Sequence, residues 1–369
     1  MKACTAYSTK TTVREIVADI KKQMAGFDAR FIQFYASSVV DPEKISLEMK
    51  KAFPAVPMIG CSTAGEIVTG RMLDQSVVVM AFSDEIVENC KIEILTGISQ
   101  LQEQVDDALG SFGRYYQQPM AELNTNEYVG LVLIDGLSVQ EERINERIGD
   151  LTNITFIGGS AGDDLAFQKT YIYVNGQTYT DAAVLVVIKS KARFDVIKTQ
   201  SFCGTDKIAR ITKADEKYRK ILEINNRPAL QEYAALLGKN VEETPNAFFS
   251  HPLGLEFEKD FYVRSPQKVE GDGIVFYCAI KEGMELSLLQ STDIVTDTRQ
   301  AIETKVKEFG EISAIVNFNC ILRTVELKQK QQTQAYGELF KDTPTIGFST
   351  YGESYIGHIN QTATMLVFN

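Results

Sequence analysis

The sequence predicts an α/β protein in which repeated β-α-β units form mixed, largely parallel sheets, divided between two packed domains. Three observations carry this expectation. A short stretch recurs in three versions: Ile59-Gly60-Cys61-Ser62-Thr63-Ala64-Gly65-Glu66, Ile157-Gly158-Gly159-Ser160-Ala161-Gly162-Asp163-Asp164 and Ile346-Gly347-Phe348-Ser349-Thr350-Tyr351-Gly352-Glu353. Each is preceded by an apolar run and a helix-like segment, and each is followed by a further apolar run. Self-similarity on this scale reveals architecture, and strand, crossover helix and strand in that order imply parallel neighbours.

The elements follow in order. Thr12 and Glu15 form a capping box ahead of Val13, Ile16, Val17, Ile20 and Met24, the apolar face of a first helix. The first repeat opens with a strand over Ala29 to Tyr35. Asp41-Pro42-Glu43 then places an N-cap before a proline at the first helical position, and Ile45, Met49 and Phe53 give that helix its buried stripe. Pro57-Met58-Ile59 returns to the sheet, and Ser76 to Phe82 is a further strand. Val105, Leu109, Phe112 and Tyr116 mark an amphipathic helix.

The second repeat begins with the continuous apolar run Val129 to Ile134, as in a strand buried on both faces. Ser138 and Glu141 have capping-box spacing, Ile144, Ile148 and Leu151 supply a buried stripe, and Ile154 leads into the motif. Asn175-Gly176 between β-rich runs signals a hairpin, and Ala182 to Ile188 forms a strand. The turn-like Asn225-Asn226-Arg227-Pro228 places a boundary between domains over 1–225 and 226–369. Pro228 and Gly238 bracket a helix, and Lys281 to Met284 reads as a turn between strands Ile274 to Ile280 and Glu285 to Leu289. Ile302, Val306 and Phe309 mark a helix ended by Gly310. The third repeat runs from the strand Ala314 to Phe318 through a polar helix, Thr324 to Phe340, to Thr345-Ile346, with a last strand at Thr362 to Phe368.

At 369 residues, 44% of them apolar and 24% charged, the chain has the composition of a globular protein with more than one core. A net charge of −11 argues against nucleic acid and anionic membrane surfaces. The six cysteines are scattered without a CxxC pair, which suits reduced thiols. No signal peptide is visible and no apolar run approaches the roughly 20 residues that span a bilayer. A cytoplasmic protein without membrane insertion is expected.

Gly158 to Gly162 fits G-x-S-x-G, the nucleophile elbow of α/β-hydrolases, with Glu353 and His358 downstream. That elbow requires a helix after the serine, whereas Tyr171 to Val174 reads as strand and hairpin, so catalysis is disfavoured. The glycine loops lack the lysine of a phosphate-binding P-loop, and their acids, Glu66, Asp163, Asp164 and Glu353, would repel an anion. An ammonium, a guanidinium or several hydroxyls suit them better; alternatively the acids cap backbone amides. Two histidines exclude a multi-histidine metal cluster. His251 has an aromatic setting in which one imidazole suffices for haem, and His358 lies near the third motif. Cys320 ends a buried strand and reads as a small hydrophobe more than as a nucleophile, while Arg323 is an anchor for a carboxylate ligand or for one of the motif acids. The expected ligand-binding set is Cys61, Ser62, Thr63, Glu66, Ser160, Asp163, Asp164, Asn319, Arg323, Ser349, Tyr351, Glu353 and Asn360.

The three motifs, with Pro252-Leu253-Gly254, Asn319-Cys320-Ile321-Leu322-Arg323 and His358-Ile359-Asn360-Gln361-Thr362, closely resemble the FIST domains, over nearly the whole chain. The resemblance implies a stand-alone sensory module that binds a small polar ligand, amino acids having been proposed for the family. It implies signalling to a histidine kinase, a chemoreceptor or a cyclic-nucleotide enzyme, without catalysis or cofactor. Bacterial members resembling haem-bound nitric-oxide sensors supply the alternative, with His251 or His358 as the haem ligand.

Overall fold

The computed structural model describes residues 1–100, 102–257 and 260–369. Its mixture of helices and sheets bears out the α/β expectation. The chain divides into two compact units. The larger comprises residues 1–199, 298–358 and 363–369, and the smaller comprises 200–297 and 359–362.

The larger unit contains three sheets of six strands, each built around one parallel pair. In the first repeat Phe31–Ser37 pairs with Met58–Thr63, in the second Tyr128–Ile134 with Phe156–Ser160, and in the third Ala314–Cys320 with Thr345–Thr350. The crossover helices are Pro42–Ala52, Glu141–Leu151 and, in the third repeat, the two helices Ile321–Gln329 and Thr333–Glu338. Asp41 caps the first crossover helix by accepting the Lys44 N–H at 3.0 Å. Thr12 forms the expected N-cap, its Oγ1 accepting the Glu15 N–H at 3.3 Å, while the Glu15 carboxylate accepts the Thr12 hydroxyl at 2.6 Å in place of the backbone N–H of a full capping box. Ser138 and Glu141 do not. Gln140 occupies the cap position, Ser138 donates to Asp135 O, and Glu141 turns into the interior.

The strand after each motif leaves its own repeat. The hairpin Glu66–Val68 and Arg71–Leu73 from repeat 1 pairs with Thr345–Thr350 of repeat 3. The hairpin Ile172–Val174 and Gln177–Tyr179 from repeat 2 pairs with Met58–Thr63 of repeat 1. Glu353–Tyr355 from repeat 3 pairs with Phe156–Ser160 of repeat 2. The register is equivalent in all three: Glu66 faces Phe348, Ile172 faces Cys61 and Glu353 faces Gly159. Three hairpins are thus exchanged cyclically, and no sheet is completed by its own repeat.

The motif glycines have one common cause. A β-carbon at Gly60, Gly158 or Gly347 would fall on the carbonyl oxygen of Phe34, Val132 or Asn317, its partner on the parallel strand. The sheets also share one apolar core, in which Tyr35, Cys61, Leu133, Ile157, Phe318 and Phe348 are buried together. The rings of Tyr35 and Phe348 lie 4.5 Å apart. Each large apolar side chain buried there contributes about 1.5–3 kcal/mol.

The smaller unit is an eight-stranded sheet around the long strand Phe202–Asp215, which pairs with both Glu285–Ser291 and Lys220–Ile224. Helix Ala229–Leu237 follows Pro228 and ends at Gly238, whose left-handed φ of 68° closes it as expected. Its Leu230 and Tyr233 pack on Phe248, Ile274 and Leu288. The expected pairing across Lys281 to Met284 does not occur. Strand Gly273–Phe276 ends early and pairs with Lys220–Ile224 and Pro266–Glu270 instead.

Candidate functional site

At the carboxyl ends of the parallel strands the three motifs close on one another. Ser62 Oγ donates to Gly162 O at 2.8 Å, and the Gly162 N–H donates to Ser62 O at 3.0 Å. The Ser349 N–H donates to Gly65 O at 2.7 Å and the Ser160 N–H to Gly352 O at 2.9 Å, while Thr350 Oγ1 donates to Ser160 O at 2.8 Å. Cys61, Ser62, Thr63 and Ser160 have no exposed surface. Ser160 runs into a loop, not a helix, and its hydroxyl donates to Glu141 Oε1 at 3.3 Å, so the environment of a nucleophile elbow is missing.

The acids divide by environment. Glu66 is fully buried, accepting from Thr63 Oγ1, from Ser76 Oγ at 2.6 Å and from the Ser76 N–H at 3.0 Å. Burial raises its pKa to about 7, against the opposing pull of those hydrogen bonds. Burial likewise pushes up the Cys61 thiol, with the nearby Glu66 adding to the effect. Glu353 is fully buried on its exchanged strand.

Asp163 holds a loop. Its carboxylate accepts the N–H groups of Phe167, Gln168 and Lys169 at 2.6–2.9 Å and the Tyr351 hydroxyl at 2.5 Å. Tyr351 in turn accepts the Leu165 N–H at 2.7 Å and stacks on Phe167, centroids 5.0 Å apart. Burial and the Asp163 carboxylate both raise the tyrosine pKa. Asp164 is exposed and accepts from Ser38 Oγ at 2.5 Å. Asp164, Leu165 and Phe167 all have positive φ, 55°, 65° and 51°, a conformation costing about 1–3 kcal/mol per non-glycine residue. The Asp163 and Tyr351 contacts over-determine it. Leu165 and Phe167 nevertheless remain largely exposed.

Repeat 3 departs from its siblings one layer below. The strand register makes Asn317 the counterpart of Phe34 and Val132, and Asn319 the counterpart of Ala36 and Ile134. Between the sheet and its helices, repeats 1 and 2 are apolar there, whereas repeat 3 buries a polar network. Arg323 Nε donates to Asn319 Oδ1 at 3.0 Å and its terminal nitrogen to Thr298 Oγ1 at 2.9 Å. Tyr336 OH donates to Asn319 Oδ1 at 3.0 Å and accepts from Asn317 at 3.3 Å. Asn319 Nδ2 donates to Thr324 Oγ1, which lies 2.7 Å from Ser349 Oγ. The Asn317 side-chain oxygen Oδ1 is buried without a hydrogen-bond partner among the described residues. Burying such groups costs stability unless every one is satisfied.

Of the sequence-predicted residues, Asn319, Arg323 and Ser349 meet in this network. Tyr351, two residues beyond Ser349, joins it to the loop held by Asp163, and Asn360 is buried in the smaller unit. Sequence reasoning missed Thr298, Asn317, Thr324 and Tyr336. The available signal was a pair of asparagines two residues apart, on one face of an otherwise apolar strand.

His251 is half-buried, with Nδ1 3.0 Å from Ser250 Oγ. Burial, Lys239 and Lys207 lower its pKa. The side chain of His358 lies outside those described. Among the described residues no cluster of three potential metal ligands occurs, and no helix is long and apolar enough to cross a membrane.

Comparison with known proteins gives three similarities. The FIST N domain model matches residues 30–227 and the FIST C domain model matches residues 229–355. An uncharacterised protein of Methanocaldococcus jannaschii is 25% identical over 306 residues, which is 77% of this chain and 59% of the relative. The chain therefore spans about three fifths of the length of that curated relative.

Proposed function

The chain belongs to the FIST family, whose domains are sensory domains of signal transduction, and from that premise we propose that it binds a small polar ligand without catalysis. The observation that carries this reading is the polar layer of repeat 3. Asparagines stand where the other two repeats have apolar side chains, around a buried guanidinium at a strand's carboxyl end, where ligands of α/β sheets bind. Arg323 and Asn319 would take a carboxylate and an adjacent donor, an arrangement suited to an amino acid. The strained loop at Asp163 would be the element that responds, and a kinase, a chemoreceptor or a cyclic-nucleotide enzyme the recipient of the signal. The full burial of Ser160 and Cys320 supports a role without covalent chemistry.

A thermal-shift screen against a metabolite library tests the reading. Protein shown by native mass spectrometry to carry no retained ligand should gain melting temperature with one polar, amine-bearing compound. That gain should vanish in Asn319→Ala. A library with no stabilising compound, or a gain indifferent to Asn319, would reject the site. The half-buried position of His251 beside Phe248 and Phe249 in the chain supports a second reading, haem ligation. Protein produced with ample haem would then show a Soret band that disappears in His251→Ala, and a featureless spectrum discards the idea.

A further inference from the structure

The exchanged hairpins create three equivalent seams, each between a visiting hairpin and the crossover helix of its host repeat. The seam in repeat 1 is closed. Ser46 Oγ donates to Gln177 O at 3.0 Å, Thr178 Oγ1 donates to Pro42 O at 3.1 Å, and Gly176 leaves room for the Lys50 side chain. The seam in repeat 2 holds a cleft of about 460 Å³, flanked by the acids Glu146 and Asp150. The seam in repeat 3 holds one of about 520 Å³ between the hairpin Glu66–Leu73 and helix Thr333–Glu338. An open cleft is therefore not an unavoidable product of the architecture, because the same geometry is filled in repeat 1.

The repeat 3 cleft is lined by Thr69, Arg71, Thr333, Gln334, Glu338 and Lys341, among others. Arg71 and Lys341 are exposed, and among the described residues neither is in an ion pair. Arg71 rests over the Tyr7 ring, 5.4 Å from its centroid, which steadies the guanidinium beside the opening. Two cations outside any ion pair attract an anionic group, and a guanidinium fork matches carboxylate or phosphate. Glu338 stands on the same wall, held by Gln334 Nε2 at 2.9 Å, and a carboxylate there can accept a ligand's hydroxyl hydrogen.

Helix Thr333–Glu338 also reaches inward. Gly337 lies so close to the hairpin that a β-carbon would sit 2.8 Å from Met72 N. Tyr336, the preceding residue, donates to Asn319 in the buried network. One short helix therefore touches the cleft, the exchanged hairpin and the polar layer.

We propose that this cleft is a second binding site, for a small hydroxylated organic anion, and that helix Thr333–Glu338 couples its occupancy to the Asn319–Arg323 network. The binding half stands on the cleft alone, while its meaning as regulation rests on the ligand reading of that network. D-glycerate and sn-glycerol 3-phosphate are suitable probes, one carrying a carboxylate and the other a phosphate. Hydrogen exchange should be followed on the full chain at fixed ionic strength.

One or both probes should slow exchange severalfold at residues 69–73 and 333–341, with weaker protection at 317–324. Slowing by one probe alone identifies the preferred anion. The double variant R71Q/K341Q, altered only at exposed positions, should lose all of this. Protection by neither probe, or equal protection in the double variant, overturns the site. In Tyr336→Phe the cleft should still protect 69–73 while the effect on 317–324 disappears, and persistence of that effect overturns the coupling. Because Arg71 and Lys341 lie outside the buried network, a negative result here leaves the Asn319-dependent screen to stand or fall separately.

Discussion

Burial gives Glu66 a titration near neutrality, and this makes stability depend on pH in a definite direction. Its carboxyl is raised from 4.5 to about 7 in the folded state. The folded protein therefore holds the proton more tightly than the unfolded chain. The contribution is complete below about pH 4.5, declines as pH rises through 7, and is lost above that. Its full size is about 3 kcal/mol, from 1.36 kcal/mol per pKa unit. The groups facing the carboxyl are Thr63 and Ser76 by hydrogen bonds, with Asp164 acting through charge. Glu66→Gln should remove most of the fall in unfolding free energy between pH 5 and pH 8, measured by denaturant titration. An unchanged pH dependence would show that some other group sets it. Tyr336→Phe deletes a hydroxyl shared by Asn317 and Asn319 and should cost about 1–3 kcal/mol, because it strands their buried amide groups.

Among the elements, the parallel strand pairs and crossover helices were readable because their signals are local: apolar runs, caps and a stripe four residues apart. Asp41 and Thr12 made their caps as their spacing implied. Ser138 and Glu141 had the same spacing, yet burial of Glu141 beside Ser160 competed with capping and won. Where the hairpins go was not readable. Glu66 and Phe348 meet across most of the chain, and alternation says which face is buried without naming the neighbour. The polar layer was half visible: Asn319 and Arg323 stand out, while Asn317 reads as part of a strand and Tyr336 as part of a polar helix. Two element-scale outcomes follow. Gly158→Ala drives a methyl into the Val132 carbonyl and should destabilise the larger unit by about 3 kcal/mol or more. Asp163→Ala releases three backbone N–H groups. It should expose the segment 164–170 to limited proteolysis while the melting temperature falls by only a few degrees. Resistance equal to that of the unaltered protein would show that Tyr351 alone holds the loop.

For the larger unit as a whole, cyclic exchange of hairpins makes the three repeats energetically inseparable. Native-state hydrogen exchange should assign the strands Phe31–Ser37, Tyr128–Ile134 and Ala314–Cys320 one common opening free energy. Three distinct values would mean that each repeat opens alone. The same exchange orders events during synthesis. The first sheet waits for Ile172–Val174, the second for Glu353–Tyr355 and the third for Thr362–Phe368. A ribosome making this protein therefore carries unfinished sheets, their edges unpaired, almost until residue 368 has been added. Such edges invite intermolecular pairing. The burden of this architecture accordingly falls on the nascent chain, whose second and third sheets keep open edges long after their first strands have been made.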